Sequence, residues 1–253
     1  MRAPVDTIAA PLFPSKLPWV NATGGQASTI QRGKPMLVEF WDFCRPNSMR
    51  TLPYVKEWHE RYADSGLRVI GVHCPGFAPS RDEQAVRDAV HRLEIRHPVL
   101  IDSELQLWRA YENEGWPARY LFDGHARLVE YHYGEGAYRE TERAIQELLA
   151  LEREPVAPLR PEDAPGAILA AATAEQPGPY SGPYEAGGVW AVLDGCGTLR
   201  ASDDATCAAA ELQIAAPGAY PLLEHARHTA GELTLQLNGG LRCLATCFTP
   251  GLA

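Results

Sequence analysis

Lysine is nearly absent from this chain of 253 residues, occurring only as Lys16, Lys34 and Lys56, so arginine carries almost all the positive charge. The formal net charge is −9 and no long basic stretch occurs. Nucleic acid and anionic lipid both call for clustered cations to displace counterions, so neither is expected as a partner. No window approaches the ~20 apolar residues of a membrane-spanning helix. The opening MRAPVDTI holds no apolar run of the signal-peptide kind. The expectation is a soluble, cytoplasmic protein with no membrane partner. The chain also lacks any pair of cysteines spaced CxxC, although it has six cysteines. In a reducing compartment these are expected as thiols or labile pairs rather than structural disulfides. Hydrophobic residues make up 45% of the chain, enough to fill a core.

The first part of the chain alternates between two periods. Residues 35–43 (PMLVEFWDF) are a short apolar run that reads as a buried strand of a parallel sheet. In residues 48–65, Leu52, Val55, Trp58 and Tyr62 recur at helical spacing. Ser48 is expected to cap that helix, Pro53 to bend it and Gly66 to end it. Residues 67–73 (LRVIGVH) and 98–101 read as further strands, and residues 82–93 and 103–111 as helices, the second capped by Ser103. Residues 118–122 and 127–133 flank Asp123-Gly124, a dipeptide that favours tight hairpins. A last helix is expected over residues 138–151. The order βαβαβαββα implies a parallel core with right-handed crossovers and an antiparallel closing hairpin.

Residues 153–166 are rich in proline and charge and read as a linker. Beyond them, short runs such as VWAVL, GTLRA and ELTLQL alternate with Gly, Pro, Asp and Asn, the pattern of a small antiparallel sandwich or jelly roll. The expected division is residues 1–152, a linker over 153–166, and a β-sandwich domain over 167–253.

Several separate blocks carry a resemblance, in the right order. They are LPWVN (residues 17–21), FWDFCRPNSMRTLPY (40–54), VIGVHCPGF (69–77), WPARYLFD (116–123) and YGEGAYRETERAI (133–145). Together they resemble the DipZ/TlpA-like branch of the thioredoxin superfamily, often grouped with the AhpC/TSA redoxins. The resemblance implies an α/β thioredoxin fold over the whole first domain. The tail LTLQLNGGLRCLATCF (residues 233–248) is similar to the small β-sandwich, akin to carbohydrate-binding modules, that follows in DipZ-type proteins. The family places a CxxC at the start of the first helix. Here the corresponding residues are Arg45 and Ser48, so dithiol exchange of the ordinary kind is excluded. Pro117 corresponds to the superfamily's cis-proline, which implies a cis Trp116–Pro117 bond and an edge that accepts extended peptide.

Two cysteines remain near that site. Cys44 precedes Arg45 at the expected helix N-terminus, where both neighbours favour a thiolate and Asp42 opposes it. The other reading is a half-buried cysteine left at a decayed site. Cys74 ends the neighbouring strand, within the distance of adjacent strands, so the two either form a redox pair or are unrelated core thiols. The residues before Cys44 are Trp41, Asp42 and Phe43, which excludes the peroxidatic motif of peroxiredoxins. Trp41, His73, Trp116, Pro117 and Glu135 are the remaining candidates for the cleft. Cys196, Cys207, Cys243 and Cys247 lack zinc-site spacing, so neither a metal nor another cofactor is expected. Cys243 and Cys247 would share a strand face about 13 Å apart. Tyr180, Tyr184 and Trp190 read as core aromatics or as a sugar-stacking platform. Two functions follow. One is a non-standard thiol–disulfide oxidoreductase using Cys44, alone or with Cys74, acting on protein thiols or disulfides. The other is a redox-inactive module that holds a partner peptide or glycan.

Overall fold

The computed structural model describes Met1, residues 8–22 and residues 29–253. Residues 2–7, part of the segment searched for a signal peptide, and residues 23–28 lie outside the described residues. Two compact units make up the chain, Met1–Phe43 with Asn47–Ala157, and Pro158–Ala253 with Cys44–Pro46. The short Cys44–Pro46 segment joins a strand and a helix of the first unit by chain course.

The first unit runs β1 (Trp19–Val20), β2 (Met36–Trp41), α1 (Pro46–Tyr62), β3 (Arg68–His73), α2 (Glu83–Arg92), β4 (Val99–Ile101), α3 (Gln106–Ala110), β5 (Ala118–Phe122), β6 (Leu128–Tyr133) and α4 (Tyr138–Leu149). Its sheet has the order β1-β4-β3-β2-β5-β6. β2, β3 and β4 are mutually parallel, and β5 and β6 close the sheet antiparallel. Strand alternation sorts the core into two clusters. Met36, Val38 and Phe40 pack with Leu107 of α3 and with Tyr111 just after it on one face. Leu37 packs with Tyr54, Val55 and Trp58 of α1 and with Tyr138 and Ile145 of α4 on the other.

Three local expectations are corrected. α1 begins at Pro46, because a proline at the first helical position is already preorganised and needs no N–H there. Ser48 therefore lies inside the first turn and is not the cap. α3 is capped by the Asp102 carboxylate, which accepts the N–H groups of Gln106, Leu107 and Trp108 at 2.7, 2.9 and 2.9 Å. The Ser103 hydroxyl instead donates to the Arg81 carbonyl at 3.1 Å. The β5–β6 connection is a five-residue loop rather than a tight turn, because Asp123 Oδ1 accepts the N–H groups of both His125 and Arg127 and spreads the chain. The cap of α2 is as expected: Asp82 accepts from Ala85 N–H at 2.7 Å. No helix among the described residues is long and apolar enough to cross a membrane.

The second unit is all-β. β7 (Leu169–Ala170) pairs with β14 (Gly251–Leu252). β8 (Gln176–Pro177), β9 (Gly182–Asp194), β10 (Gly197–Asp203), β11 (Ala208–Ile214), β12 (Gly218–Gly239) and β13 (Arg242–Thr249) form an antiparallel sheet of order β11-β10-β12-β9-β13-β8. The expected short strands are fused into longer ones, β12 reaching 22 residues. Its breakers are absorbed as register shifts at Pro221/Leu223 and Glu224/Thr229 rather than ending the strand. Gly231 is required: a Cβ there would lie 2.6 Å from Asp203 Oδ2.

Candidate functional site at the end of the parallel strands

The site is built where β2 and β3 end together. Trp41 is in register with His73, and the Cys74 N–H donates to the Trp41 carbonyl at 3.0 Å, carrying the ladder one residue further. From Trp41 the chain turns through Asp42, Phe43, Cys44 and Arg45 into α1. Arg45 is the residue before the helix and Ser48 its third residue. The Ser48 oxygen accepts the Asp42 N–H at 3.2 Å, closing the turn.

Asp42 is buried and ties this turn to the loop after Cys74. Its Oδ2 accepts Gly76 N–H at 2.7 Å and the Ser80 hydroxyl at 3.2 Å. Its Oδ1 lies 3.5 Å from His73 Nε2. The His73 ring stacks on Phe43 at 5.2 Å and meets Trp41 edge-on at 5.0 Å. Trp41 and His73 are both fully buried, so they are packed beneath the site and line no open cleft. This corrects the expectation for both residues; the bulk of three neighbouring rings closes the space.

Cys74 is held as a hydrogen-bond donor. Its Sγ lies 3.6 Å from Asp102 Oδ2, the carboxylate that caps α3. Burial pushes the Cys74 thiol well above its ordinary range, and the charge and hydrogen bond of Asp102 add to the effect, as does Asp42. A protonated thiol is a poor nucleophile. Cys44 is buried as well, and no disulfide joins the two.

The Trp116–Pro117 bond is cis. The Trp116 indole N–H donates to the Cys74 carbonyl at 2.9 Å, and its ring lies 4.3 Å from that of Trp108. The structure thus gathers Trp41, Asp42, His73, Cys74 and Trp116. Glu135 is paired with Arg50 of α1 at 2.7 Å.

One residue escaped sequence reasoning. Glu39 sits in the middle of β2, fully buried, with neither carboxylate oxygen hydrogen-bonded. Burial raises its pKa to about 8, with Arg119 opposing. The available signal was a lone carboxylate inside the apolar run MLVEFW.

In the second unit, Cys196 and Cys207 are exposed, Cys243 is half-buried and Cys247 is buried. Cys243 lies opposite Leu193 but Cys247 lies opposite Trp190, because β13 bulges between Cys243 and Ala245. The bulge puts the two cysteines on opposite faces, against the expectation. Among the described residues no three acidic, histidine or cysteine side chains are grouped to hold a metal. Tyr184 and Trp190 are buried and Tyr180 packs on the core cluster, so these aromatics form no exposed platform.

Against known proteins, the chain is 36% identical over 133 residues to the DipZ proteins of Mycobacterium bovis and Mycobacterium tuberculosis. That match covers 52% of this chain but only 19% of each DipZ protein. It is 29% identical over 132 residues to the thiol-disulfide oxidoreductase YkuV of Bacillus subtilis, covering 52% of this chain and 88% of YkuV. The solution structure of a thioredoxin-like protein in its oxidised form superposes with a TM-score of 0.50 and 28% identity, over 57% of this chain and 97% of that one. No protein-family profile matches the chain.

The first unit is therefore a thioredoxin-like domain. In sequence it is similar to a stretch of the DipZ proteins and to YkuV, it carries no CxxC pair, and an all-β unit follows it.

Proposed function

We propose that this chain is a thiol-redox protein of the thioredoxin-like class that engages a partner sulfur through Cys44 alone and cannot close a dithiol cycle on itself. The start of α1 carries this reading. Arg45 and Ser48 stand at the two positions that the resemblance assigns to the missing cysteines, and Ser48 is tied to the Asp42 amide. In the proposed step the Cys44 thiolate attacks a partner disulfide. The partner S–S bond breaks, a bond from Cys44 to one partner sulfur forms, and the other sulfur leaves as a thiolate. Cys74, whose thiol burial and Asp102 push well above its ordinary range, is a poor nucleophile for resolving the adduct, so release falls to an external thiol. A cytoplasmic setting, which supplies such thiols, goes with this reading. The name of YkuV as a thiol-disulfide oxidoreductase supports thiols or disulfides of proteins as the partners.

The test is an insulin-type disulfide substrate followed by mass spectrometry. A mixed disulfide on the wild type that Cys44→Ser abolishes is expected, with no repeated turnover unless external thiol is added. An adduct that persists in Cys44→Ser would sink the proposal. The burial of Cys44 favours a second reading, a redox-inactive module that holds a partner peptide or glycan. That reading takes precedence if native Cys44 resists alkylation yet reacts fully once the chain is unfolded.

A further inference from the structure

Three of the four outer strands of the two six-stranded sheets are closed to further pairing. β1 and β8 are only two residues long, and β8 ends on Pro177, which has no N–H to offer. β6 is covered: its Leu128 N–H donates to the Ile8 carbonyl at 2.8 Å and its Tyr131 N–H to the Met1 carbonyl at 2.9 Å. β11 is the fourth. It pairs with β10 over seven residues with no register shift, and among the described residues no strand pairs with its other edge. Its sequence AAAELQI holds no lysine and no proline. Folded proteins protect a long edge with such residues or with bulges, because its unpaired N–H and C=O groups are a template for another strand.

The side chains along this edge complement themselves. Ala209, Glu211 and Gln213 are exposed on one face, while Ala208, Leu212 and Ile214 pack on the core cluster from the other. Glu211 Oε2 accepts Arg200 Nε at 2.9 Å, leaving Oε1 to accept. Gln213 Oε1 accepts the Thr198 hydroxyl at 3.1 Å, leaving the amide N–H groups to donate. When a strand pairs with its own copy across a twofold axis, opposite residues lie on the same face, so registers differ in steps of two residues. Full overlap sets Glu211 against Glu211 of the second copy, two like charges directly opposed. The next register in one direction sets Glu211 against Ala209 of the second copy, with no polar partner. In the other direction Leu212 meets Leu212 of the second copy, and Glu211 meets Gln213 of the second copy twice over, donor to acceptor. On the core face Ala210 then lies against Ile214 of the second copy, a small side chain against a large one.

We propose that β11 is the seam of a homodimer. It pairs antiparallel with β11 of a second copy in the register centred on Leu212, and the two antiparallel sheets become one continuous sheet. The full chain, kept under reductant so that exposed Cys196 and Cys207 cannot cross-link copies, is followed by sedimentation equilibrium. A concentration-dependent equilibrium between monomer and dimer is expected. Gln213→Glu opposes like charges at two symmetric places and should weaken the dimer about fivefold or more. Gln213→Lys opposes unlike charges there and should tighten it by a similar factor. Gln213 is exposed, so neither change disturbs the core. Hydrogen exchange supplies a second measure: the amides of β11 should slow as protein concentration rises, and those of β8 at the far edge of the same sheet should not. A chain that stays monomeric at submillimolar concentration overturns the proposal and leaves β11 to an extended segment of some other protein. A dimer that neither Gln213 variant alters, or one that leaves β11 exchange unchanged, overturns it equally.

Discussion

Two carboxylates, one in each unit, both expose almost no surface to solvent, Glu39 lying the deeper, and they are treated in opposite ways. Asp203, at the end of β10, accepts the Tyr184 hydroxyl at 3.1 Å, the Ala205 N–H at 3.1 Å, the Glu232 N–H at 2.9 Å and the Thr206 hydroxyl. Burial alone would raise its pKa, but the bonds from Thr206, Glu232, Ala205 and Tyr184 outweigh burial and hold it below the usual range. Glu39 accepts no hydrogen bond and is pushed the other way, to about 8. Low surface exposure therefore does not by itself decide the state of a carboxyl group; the depth of burial and the donors delivered to it decide together. The turn after β10 and the adjoining β12 bring donors to Asp203. At the corresponding place beside Glu39, Gly71 brings none, and Arg119 spends Nη2 on the Gly136 carbonyl.

The largest expected effect breaks the comparison through pH. A raised native pKa means that Glu39 contributes stability fully below about 4.5 and loses it as pH climbs through about 8. At 1.36 kcal/mol per pKa unit the loss is on the order of 5 kcal/mol. Urea unfolding of the first unit between pH 5 and pH 9 should show this decline, and Glu39→Gln should flatten it. The same slope in both proteins would mean that Glu39 has donors after all. Asp203 has the opposite sign: its stabilisation is present above the ordinary carboxyl range and fades as pH falls through the lowered native value.

Asp203→Ala comes next, at about 3 kcal/mol, because several buried donors lose their acceptor together. The measure is the unfolding transition of the second unit. A cost under about 1 kcal/mol would show that water replaces the carboxylate easily, and the contrast with Glu39 would lose its meaning. Asp102→Ala should cost about 2 kcal/mol through the lost cap of α3. It should also lower the Cys74 pKa, visible as faster alkylation of Cys74 in partly unfolding conditions. The smallest effect sharpens the comparison further. Tyr184→Phe removes one of the four donors to Asp203 and should cost about 1 kcal/mol in thermal unfolding. A larger loss would mean that the bond between Tyr184 and His225, 2.8 Å long, contributes to the same network.

Much of the first unit was legible because its signals are local. Apolar runs marked β2, β3 and β4, and helical spacing of Leu52, Val55, Trp58 and Tyr62 marked α1. Caps were read less well. Ser48 and Ser103 are good capping residues in isolation, but Pro46 started one helix earlier and Asp102 offered a stronger acceptor to the other. The second unit showed only its class. Gly187, Gly188 and Pro221 look like strand ends in sequence, and each lies inside a long strand that pairs on through them.

The sequence by itself determined the alternating order of strands and helices, the change of texture after the linker, and the absence of a CxxC, since each depends on residue type at short spacing. The state of the site was decided only in three dimensions. Burial pushes the Cys74 thiol well above its ordinary range, and Asp102, 28 residues away against its sulfur, adds to the effect. Asp42 is satisfied by Gly76 and Ser80, 34 and 38 residues on. Glu39 stands without a hydrogen-bond donor because its neighbours across the sheet are a glycine and an arginine whose near nitrogens do not reach it. Hydrogen bonds act over about 3 Å of space, whatever the separation along the chain, so the chemistry of a buried polar group is set by strand register and packing.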